Sequence, residues 1–323
     1  MSRAEAARLI HAGQRFLVTC HVRPDADALG SAIGFAGILR AIGKDAIVYS
    51  DGGVPPMLSF LEGGEDVRAE LPEGRFDATF VMDAAACELV PQLPKRERTG
   101  PLVVVDHHAA HGEFGDLVVR EIDAVATGEV VLRLMHSLGL SEVPPRVAQP
   151  IYAAIVADTG GFRYSGTNAT THRLAAQLLE RGVDPWHVAS NLFEKWAPER
   201  MALLGEVLRG MQIDEDGKLA IVCVDAAMMK RSRATDDMIE GMVNYCRMLD
   251  GVEIAALLWV PNGGRDVKIS LRSAGRADVA EVAVALGGGG HRAAAGASVS
   301  GDLASATARL RAESIRELRK LVP

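Results

Sequence analysis

The chain has 323 residues, of which 48% are hydrophobic and 24% are charged, and its formal net charge at pH 7 is −7. The composition is that of an ordinary soluble globular protein, and the length exceeds what one hydrophobic core normally holds, so we expect two domains. The negative charge argues against a long polynucleotide-binding surface, because proteins that bind duplexes are usually basic.

The chain shows no feature that targets it to a membrane. No apolar run approaches the roughly 20 residues that a spanning helix needs, and the first residues lack the apolar core of a secretory signal. We therefore expect a cytoplasmic protein that does not bind a membrane.

The first part of the chain alternates helix-like and strand-like segments, as a parallel sheet with crossover helices requires. The predicted segments, in chain order, are a helix at 4–12, a strand at 16–20, a helix at 28–41, strands at 46–49, 78–82 and 102–105, and helices at 129–138, 147–157 and 169–180. The alternation predicts an α/β fold, a doubly wound and mostly parallel sheet, over residues 1–185.

The remainder of the chain has a different pattern. Residues 186–212 have helical composition with few strand formers, and we place a helical linker there. The predicted segments beyond it are strands at 219–224, 254–260 and 267–271, with a hairpin turn at 261–264, and helices at 236–248, 279–286 and 304–321. They predict a second, smaller α+β domain over residues 213–323, across a cleft from the first.

The most informative motif is Asp106-His107-His108, which directly follows the apolar run at 102–105. In open α/β folds ligands bind just beyond the carboxyl ends of the strands. A buried strand that ends in a carboxylate and two imidazoles therefore delivers three groups capable of binding a metal to one edge of the sheet.

Three other predicted segments, at 16–20, 78–82 and 147–157, are also followed directly by a histidine or an aspartate. Each aspartate alone is more often a cap or a turn residue, and their joint occurrence is what favours a metal site. Clustered carboxylates repel one another at low dielectric, and divalent cations remove that repulsion. The candidate metal ligands, which suit two bridged divalent cations, are His21, Asp25, Asp27, Asp83, His107 and Asp158.

These motifs resemble those of the DHH phosphoesterases, a superfamily that includes RecJ-like exonucleases, family II inorganic pyrophosphatases and nanoRNase/pAp phosphatases. The matching residues are His21-x-x-Pro24-Asp25-x-Asp27-Ala28-Leu29-Gly30-Ser31, Asp83, Asp106-His107-His108, and Asp158-Thr159-Gly160 followed by Phe162-Arg163-Tyr164-Ser165. The glycine-rich stretch at 287–296 resembles the signature of the DHH-associated C-terminal domain. The resemblance covers nearly the whole chain.

The resemblance implies how the ligands divide. It assigns one ion to His21, Asp25 and Asp83 and a second ion to Asp27, Asp83, His107 and Asp158, so that Asp83 bridges the two. Mixed imidazole and carboxylate ligands favour two Mn²⁺ ions over Mg²⁺, with Co²⁺ or Mg²⁺ as substitutes.

The resemblance also gives the remaining motif residues a catalytic role. It implies that His108 is not a ligand but points at the phosphoryl oxygen and stabilises charge in the transition state. Asp106 is expected to orient a neighbouring histidine. A strand-end cap is the alternative explanation for Asp106.

A second set of residues is expected to contact substrate phosphate. Glycines let a backbone approach a phosphate closely, and a guanidinium suits bidentate phosphate recognition. The alternatives are a flexible glycine loop and a solvated strand end. The candidate substrate-binding residues are Arg272, Ser273, Gly288, Gly289, Gly290, His291 and Arg292.

We therefore expect a manganese-dependent phosphodiesterase that degrades short RNA or DNA oligonucleotides of two to about five nucleotides, including linear dinucleotides such as pGpG or pApA, to mononucleotides. Nucleotide bisphosphates such as 3′-phosphoadenosine 5′-phosphate (pAp) are further candidate substrates, and a homodimer is the candidate assembly. The alternatives are a RecJ-like single-strand DNA exonuclease, a cyclic-dinucleotide phosphodiesterase and an inert nucleotide-sensing protein. A family II pyrophosphatase is disfavoured, since its C-terminal domain carries a different phosphate motif.

Overall fold

The computed structural model of the protein describes residues 3–93, 95–108, 112 and 114–321. The chain divides into two compact units, residues 1–195 and residues 196–323. Among the described residues, no helix combines the length and the apolar composition that crossing a membrane would require.

The first unit is built on a parallel sheet of five strands in the order β2-β1-β3-β4-β5. Its elements are α1 (Arg3–Ala12), β1 (Arg15–Cys20), α2 (Ala26–Ala41), β2 (Asp45–Tyr49), β3 (Ala78–Met82), α3 (Arg96–Thr99), β4 (Leu102–Asp106), β5 (Leu117–Arg120), α4 (Thr127–Ser137), α5 (Ala148–Asp158), α6 (Ala169–Leu179) and α7 (Pro185–Phe193). The predicted α/β class with a mostly parallel sheet is confirmed.

The main core lies where one face of the sheet packs against helices. The ring of Phe80 from β3 lies 4.8 Å from that of Phe35 from α2 and 5.9 Å from that of Phe16 from β1, measured between centroids. Successive residues of a strand face opposite sides, so Leu17 and Val81 belong to two smaller clusters on the other face.

Two glycines let α2 and α5 lie against each other. A Cβ atom at Gly30 would lie 2.4 Å from the backbone oxygen of Pro150, and one at Gly34 would lie 2.4 Å from the side chain of Ile151. Gly37 instead meets Val147, so the two helices run antiparallel. This packing places the first turn of α2 beside the last turn of α5.

The second unit contains a mixed sheet of six strands in the order β10-β11-β9-β8-β7-β6, in which β7 and β8 are parallel. Its elements are α8 (Pro198–Arg209), β6 (Gln212–Asp214), β7 (Leu219–Val224), α9 (Ala226–Ser232), α10 (Val243–Arg247), β8 (Ile254–Trp259), β9 (Asp266–Ser273), α11 (Val279–Ala285), β10 (Gly289–His291), β11 (Ala294–Ser300) and α12 (Leu303–Arg319). The antiparallel pair β8–β9 confirms the predicted hairpin, whose turn is closed by the Gly264 amide on the Pro261 carbonyl at 2.8 Å.

The helix predicted at 236–248 is wrong in part. A 3₁₀ turn at Asp236–Ile239 and the short helix α10 replace it. Gly241 between them has a φ of +79°, a left-handed conformation that a right-handed helix cannot contain. The strands β5, β6, β10 and β11 and the helices α3 and α9 were not predicted.

Candidate metal centre

Asp83 lies one residue beyond the end of β3 in an uncommon backbone conformation. Its φ is +57°, and its amide donates to the carbonyl of Val105 on the adjacent β4 at 2.9 Å. Aspartate tolerates the left-handed region better than most residues, and such conformations cluster at functional sites. The side chain is 4% exposed and accepts a hydrogen bond from Thr127 Oγ1 at 2.9 Å.

Asp27 lies in the first turn of α2 and is held by the start of α4. Its carboxylate accepts hydrogen bonds from the amides of Thr127 and Gly128 at 2.8 and 3.0 Å and from Ser31 Oγ at 3.1 Å. The first amides of a helix have no partner within the helix. The carboxylate of Asp27 satisfies two of them and fixes the position of α4.

His107 follows β4 directly and faces three carboxylates. Its Nδ1 donates to the carbonyl oxygen of Ala124 at 3.3 Å, so the neutral ring carries its proton there. Its Nε2 then lies 3.2 Å from Asp158, 3.6 Å from Asp83 and 3.7 Å from Asp27, measured to the nearest carboxylate oxygen. These facing atoms are all acceptors, and a cation between them would satisfy them together.

His21, at the end of β1, repeats this arrangement on the other side of Asp83. Its Nδ1 donates to the carbonyl of Val22 at 3.0 Å, and its Nε2 lies 3.7 Å from Asp83 Oδ2. Asp25 caps α2 by accepting from the amide of Ala28 at 2.9 Å. A second convergence of a ring nitrogen and carboxylate oxygens therefore lies beside the first.

The ligand atoms form overlapping groups in which all atoms lie within 4.8 Å of one another. The groups found among the described residues are His21, Asp25 and Asp83; Asp27, His107 and Asp158; and Asp83, His107 and His108. Imidazole nitrogens with carboxylate oxygens are donors that borderline transition metals accept. The residues present thus fit a metal centre.

The pKa values of the clustered carboxylates also favour a bound cation. Burial, and then repulsion from Asp83 and Asp158, raises the pKa of Asp27 well above its ordinary value, and burial and Asp25 raise that of Asp83. Burial, and then repulsion from Asp83 and Asp25, raises the pKa of Asp158 to about 7. Among the described residues, the carboxylates of this cluster repel one another, and a divalent cation would remove that repulsion.

His108 and Asp106 form a pair within this centre. Asp106 is fully buried at the end of β4 and accepts a hydrogen bond from His108 Nδ1 at 2.7 Å. That bond raises the pKa of His108 to about 9. Burial would raise the pKa of Asp106, but the hydrogen bond and charge of His108 outweigh it and hold that pKa below its ordinary value. The ring of His108 lies 4.7 Å from that of His107.

The remaining predicted residues lie in the second unit. Arg272 on β9 pairs with Ala294 on β11, which in turn pairs with His291 on β10. Directly opposite residues of neighbouring strands present their side chains on the same face of a sheet. Arg272 and His291 therefore share one face, with the small side chain of Ala294 between them.

The fold itself explains most of the glycines at 287–290. Gly287 has a φ of +83° and follows α11, where its amide bonds back to Val284. A Cβ at Gly288 would lie 2.1 Å from the backbone oxygen of Gly296, and one at Gly290 would lie 2.5 Å from the Cα of Ala295. A Cβ at Gly289 would meet open space. Of the three glycines predicted to bind substrate, Gly288, Gly289 and Gly290, only Gly289 has open space on this side of its backbone.

Two other residues that were predicted to contact the substrate form hydrogen bonds within the second unit. Ser273 is 3% exposed, and its hydroxyl donates to the carbonyl of Ala277 at 2.8 Å. Arg292 donates to the carbonyl of Arg276 at 2.7 Å and lies 3.6 Å from the carboxylate of Asp278. Both side chains stabilise the turn between β9 and α11.

Sequence reasoning missed the donors that hold the carboxylates. Thr127, Gly128 and Ser31 bind Asp27 or Asp83, and Ala124 binds His107. The only local signal was a threonine and a glycine just before the predicted start of a helix at residue 129. Hydroxyl and amide groups there have too many ordinary uses for a pattern to identify their partners.

Comparison with known proteins identifies both units. A family model described as the DHH family, N-terminal domain, matches residues 15–155, and the DHHA1 domain matches residues 216–322. A curated relative, the bifunctional oligoribonuclease and PAP phosphatase NrnA of Thermus thermophilus, is 34% identical over 305 residues, which is 93% of this chain and 89% of the relative.

Two solved structures share the fold. The exopolyphosphatase-related protein of Bacteroides fragilis has a TM-score of 0.91 at 23% identity, covering 99% of this chain and 98% of that one. RecJ of Thermus thermophilus, in complex with Mn²⁺, has a TM-score of 0.55 at 18% identity, covering 97% of this chain and 55% of that one. Together with the relative of high coverage, the two matched domains confirm the family resemblance: the chain belongs to the DHH phosphoesterase family and carries the DHHA1 domain.

Proposed function

We propose that this protein is a manganese-dependent phosphodiesterase that hydrolyses short oligonucleotides to mononucleotides. The observation that carries the proposal is the position of Asp83, whose two carboxylate oxygens face different histidines. Oδ2 faces His21 Nε2 at 3.7 Å and Oδ1 faces His107 Nε2 at 3.6 Å. A carboxylate placed in this way is suited to bridge two cations.

Each side of Asp83 offers the remaining ligands of one ion. His21 and Asp25 would hold the first ion, and Asp27, His107 and Asp158 would hold the second. When bound, a pair of divalent ions polarises a phosphoryl group and activates water as the nucleophile. The mixture of imidazole and carboxylate supports manganese over magnesium, which prefers oxygen ligands and water.

The protein's own catalytic group is His108. Its raised pKa keeps the ring protonated near neutral pH, and the bond from Nδ1 to Asp106 fixes the orientation of the ring, so that its positive charge would stabilise a phosphoryl oxygen. Donors that are fixed before the reaction stabilise charge as it develops in the transition state. Asp106 does not touch the substrate in this scheme. It orients and charges His108.

The face that Arg272 and His291 share in the second unit is the proposed phosphate anchor. Arg272 Nη1 bonds to the carbonyl of Leu271 at 2.9 Å, which fixes the plane of the guanidinium. A guanidinium held in one plane recognises the oxygens of a phosphate in pairs. The open space beside the Cα of Gly289 on β10 would let the same phosphate approach the backbone closely.

Short oligonucleotides are favoured over long ones for two reasons. The relative with 34% identity is named as an oligoribonuclease and PAP phosphatase. The net charge of −7 does not support an extended binding surface for a long strand. For the same reasons pAp is the second candidate substrate, whereas a RecJ-like activity on long DNA is the weaker alternative. A homodimer stays a prediction, which sedimentation velocity tests.

A substrate panel tests the proposal. The metal-stripped protein, supplied with Mn²⁺, is given pGpG, pApA, pAp, a cyclic dinucleotide and a long single-stranded oligonucleotide, and products are resolved by anion-exchange chromatography. We expect mononucleotides from the linear dinucleotides at the highest kcat/KM. Faster hydrolysis of the long strand or of the cyclic dinucleotide would replace this function with the corresponding alternative.

A further inference from the structure

We propose that Glu129 and Arg133 are positioning residues that set the affinity of the metal centre by ordering the loop at residues 121–126. The inference rests on the proposed metal centre. It assigns a role to a buried ion pair that belongs to none of the candidate ligand groups among the described residues. The two residues act through the loop and touch neither the ions nor the substrate.

Glu129 is an unusual residue for the interior. Its side chain is 0% exposed, and Oε1 accepts from Arg133 Nη2 at 2.5 Å, one helical turn further along α4. Its other oxygen accepts from the amide of Val125 at 3.4 Å. A buried carboxylate is strongly destabilising unless it is paired, so this pair holds both α4 and the end of the loop in one arrangement.

Arg133 ties the same helix to the beginning of the loop. Its Nη1 donates to Glu121 Oε2 at 2.5 Å and to Asp123 Oδ2 at 2.9 Å. One guanidinium thus joins three acidic residues, Glu121, Asp123 and Glu129, through the fixed fork geometry that lysine lacks. Arg133 therefore holds the beginning of the loop, and Glu129, which it binds, holds the end at Val125.

The clamped loop bonds directly to the metal centre. The carbonyl of Ala124 accepts from His107 Nδ1 at 3.3 Å, and the amide of Glu121 donates to the carbonyl of Asp106 at 3.1 Å. Just after the loop, Thr127 holds both Asp27 and Asp83. A shift of the loop would therefore rotate His107 and loosen two carboxylates at once.

These contacts predict how replacing Glu129 or Arg133 changes Mn²⁺ binding. Groups that orient metal ligands through hydrogen bonds typically change metal affinity by about 10–100-fold when mutated. We expect Glu129→Gln to weaken Mn²⁺ binding within this range. Gln keeps the size of the side chain and an acceptor for Val125, but it removes the most buried of the three carboxylate charges that hold Arg133. Arg133→Lys keeps the positive charge and is the variant less disruptive to the fold. It should also weaken Mn²⁺ binding, but by a smaller factor than Glu129→Gln, because one ammonium cannot bridge Glu121 and Glu129.

The matched control is Asp123→Asn. Asp123 bonds to the same guanidinium, but its side chain is 72% exposed. Exposed pairs contribute little, so this variant should bind Mn²⁺ like the wild type.

The experiment measures Mn²⁺ binding to metal-stripped proteins by isothermal titration calorimetry and, separately, the Tm of each metal-free protein. The proposal expects weaker Mn²⁺ binding in Glu129→Gln and Arg133→Lys, with the control unchanged. Unchanged Mn²⁺ affinity in a folded Arg133→Lys, even with a lower Tm, would show that the pair only supports the fold and would overturn the inference. If the wild type itself fails to bind Mn²⁺, the proposed metal centre is wrong as well.

Discussion

Asp106 Oδ1 lies 2.7 Å from His108 Nδ1 and also accepts the amide of His107 at 2.9 Å. One buried carboxylate thus fixes the backbone of one histidine and the ring of the next. The bond to Nδ1 of His108 fixes the orientation of that ring. We therefore propose separate functions for the two histidines of the motif: His107 as a metal ligand, and His108 as a positively charged group whose pKa Asp106 raises.

Replacing His108 should slow the chemistry without removing metal. We expect His108→Ala to keep its Mn²⁺ content and lose kcat by roughly 10²–10³-fold, as is typical for loss of a donor that stabilises transition-state charge. His136→Ala, an exposed histidine at the end of α4, is the control and should behave like the wild type. A metal-free His108→Ala protein, measured by inductively coupled plasma mass spectrometry, would make His108 a ligand.

Replacing Asp83, unlike replacing His108, should lower the metal content of the protein. Asp83→Asn keeps the size of the side chain but removes the charge that faces both His21 and His107. We expect the loss of at least one bound ion and of all measurable turnover. Retention of full metal content, measured by the same elemental analysis, would show that Asp83 does not bridge the ions.

The hydroxyl of Thr127 should matter for metal affinity, because it donates to Asp83 Oδ1 at 2.9 Å in a fully buried position. Thr127→Val is close in shape and should weaken Mn²⁺ binding by about 10-fold, at the lower end of the range for such orienting groups. Thr170→Val, an exposed threonine in the first turn of α6, is the matched control. Equal Mn²⁺ affinities of the two variants in calorimetry would argue that the hydroxyl does not hold Asp83 for the metal.

The proposed anchor predicts a loss that depends on the substrate. Arg272→Ala and His291→Ala should lower kcat/KM severely for pApA, whose second phosphate they would hold, because remote binding energy positions the scissile bond. Bis-p-nitrophenyl phosphate has no second phosphate, so its kcat/KM should be unchanged in both variants.

Lys268→Ala is the control for the anchor. Lys268 lies on the same face of β9 as Arg272, four residues away, so the substitution removes a cation about 13 Å along the strand. It should leave both substrates unaffected. Equal losses on the two substrates in Arg272→Ala would mean that the residue supports the fold or the metal centre.

Metal binding should depend on pH because protons compete for the same carboxylates. The raised pKa values of Asp27, Asp83 and Asp158, the last about 7, mean that protonated forms gain population as the pH falls. Manganese needs the ionised forms, so its affinity should fall below about pH 7, and binding should release protons. Calorimetry in buffers with different ionisation enthalpies counts those protons. An affinity that is the same at about pH 6 and about pH 8 would contradict this description.

The sequence predicted which residues at the ends of strands lie close together. Buried apolar runs mark β1, β3 and β4, and parallel strands share one carboxyl edge, so His21, Asp83 and His107 were expected to lie together. Their orientation was not predictable. It depends on contacts between residues far apart in the chain, such as Thr127 with Asp27, and no local pattern records these.

The second unit was predicted less well because its composition is ambiguous. The strand β11 is built from alanine, glycine, serine and one valine, which have little strand preference as a group. The glycines at 287–290 suggested a phosphate loop, whereas Gly288 and Gly290 allow close contact with β11. Glycine marks a need for space, and the sequence alone does not say whether a ligand or another strand occupies that space.

The most direct test of the account is the position of manganese in a crystal. Anomalous scattering at the manganese edge should show two peaks, one against His21 and Asp25 and one against Asp27, His107 and Asp158, with Asp83 between them. We expect the ions to lie about 3.5–4 Å apart, as in other two-metal sites. A single peak, or two peaks of which only one contacts Asp83, would contradict the bridged centre on which the proposed function depends.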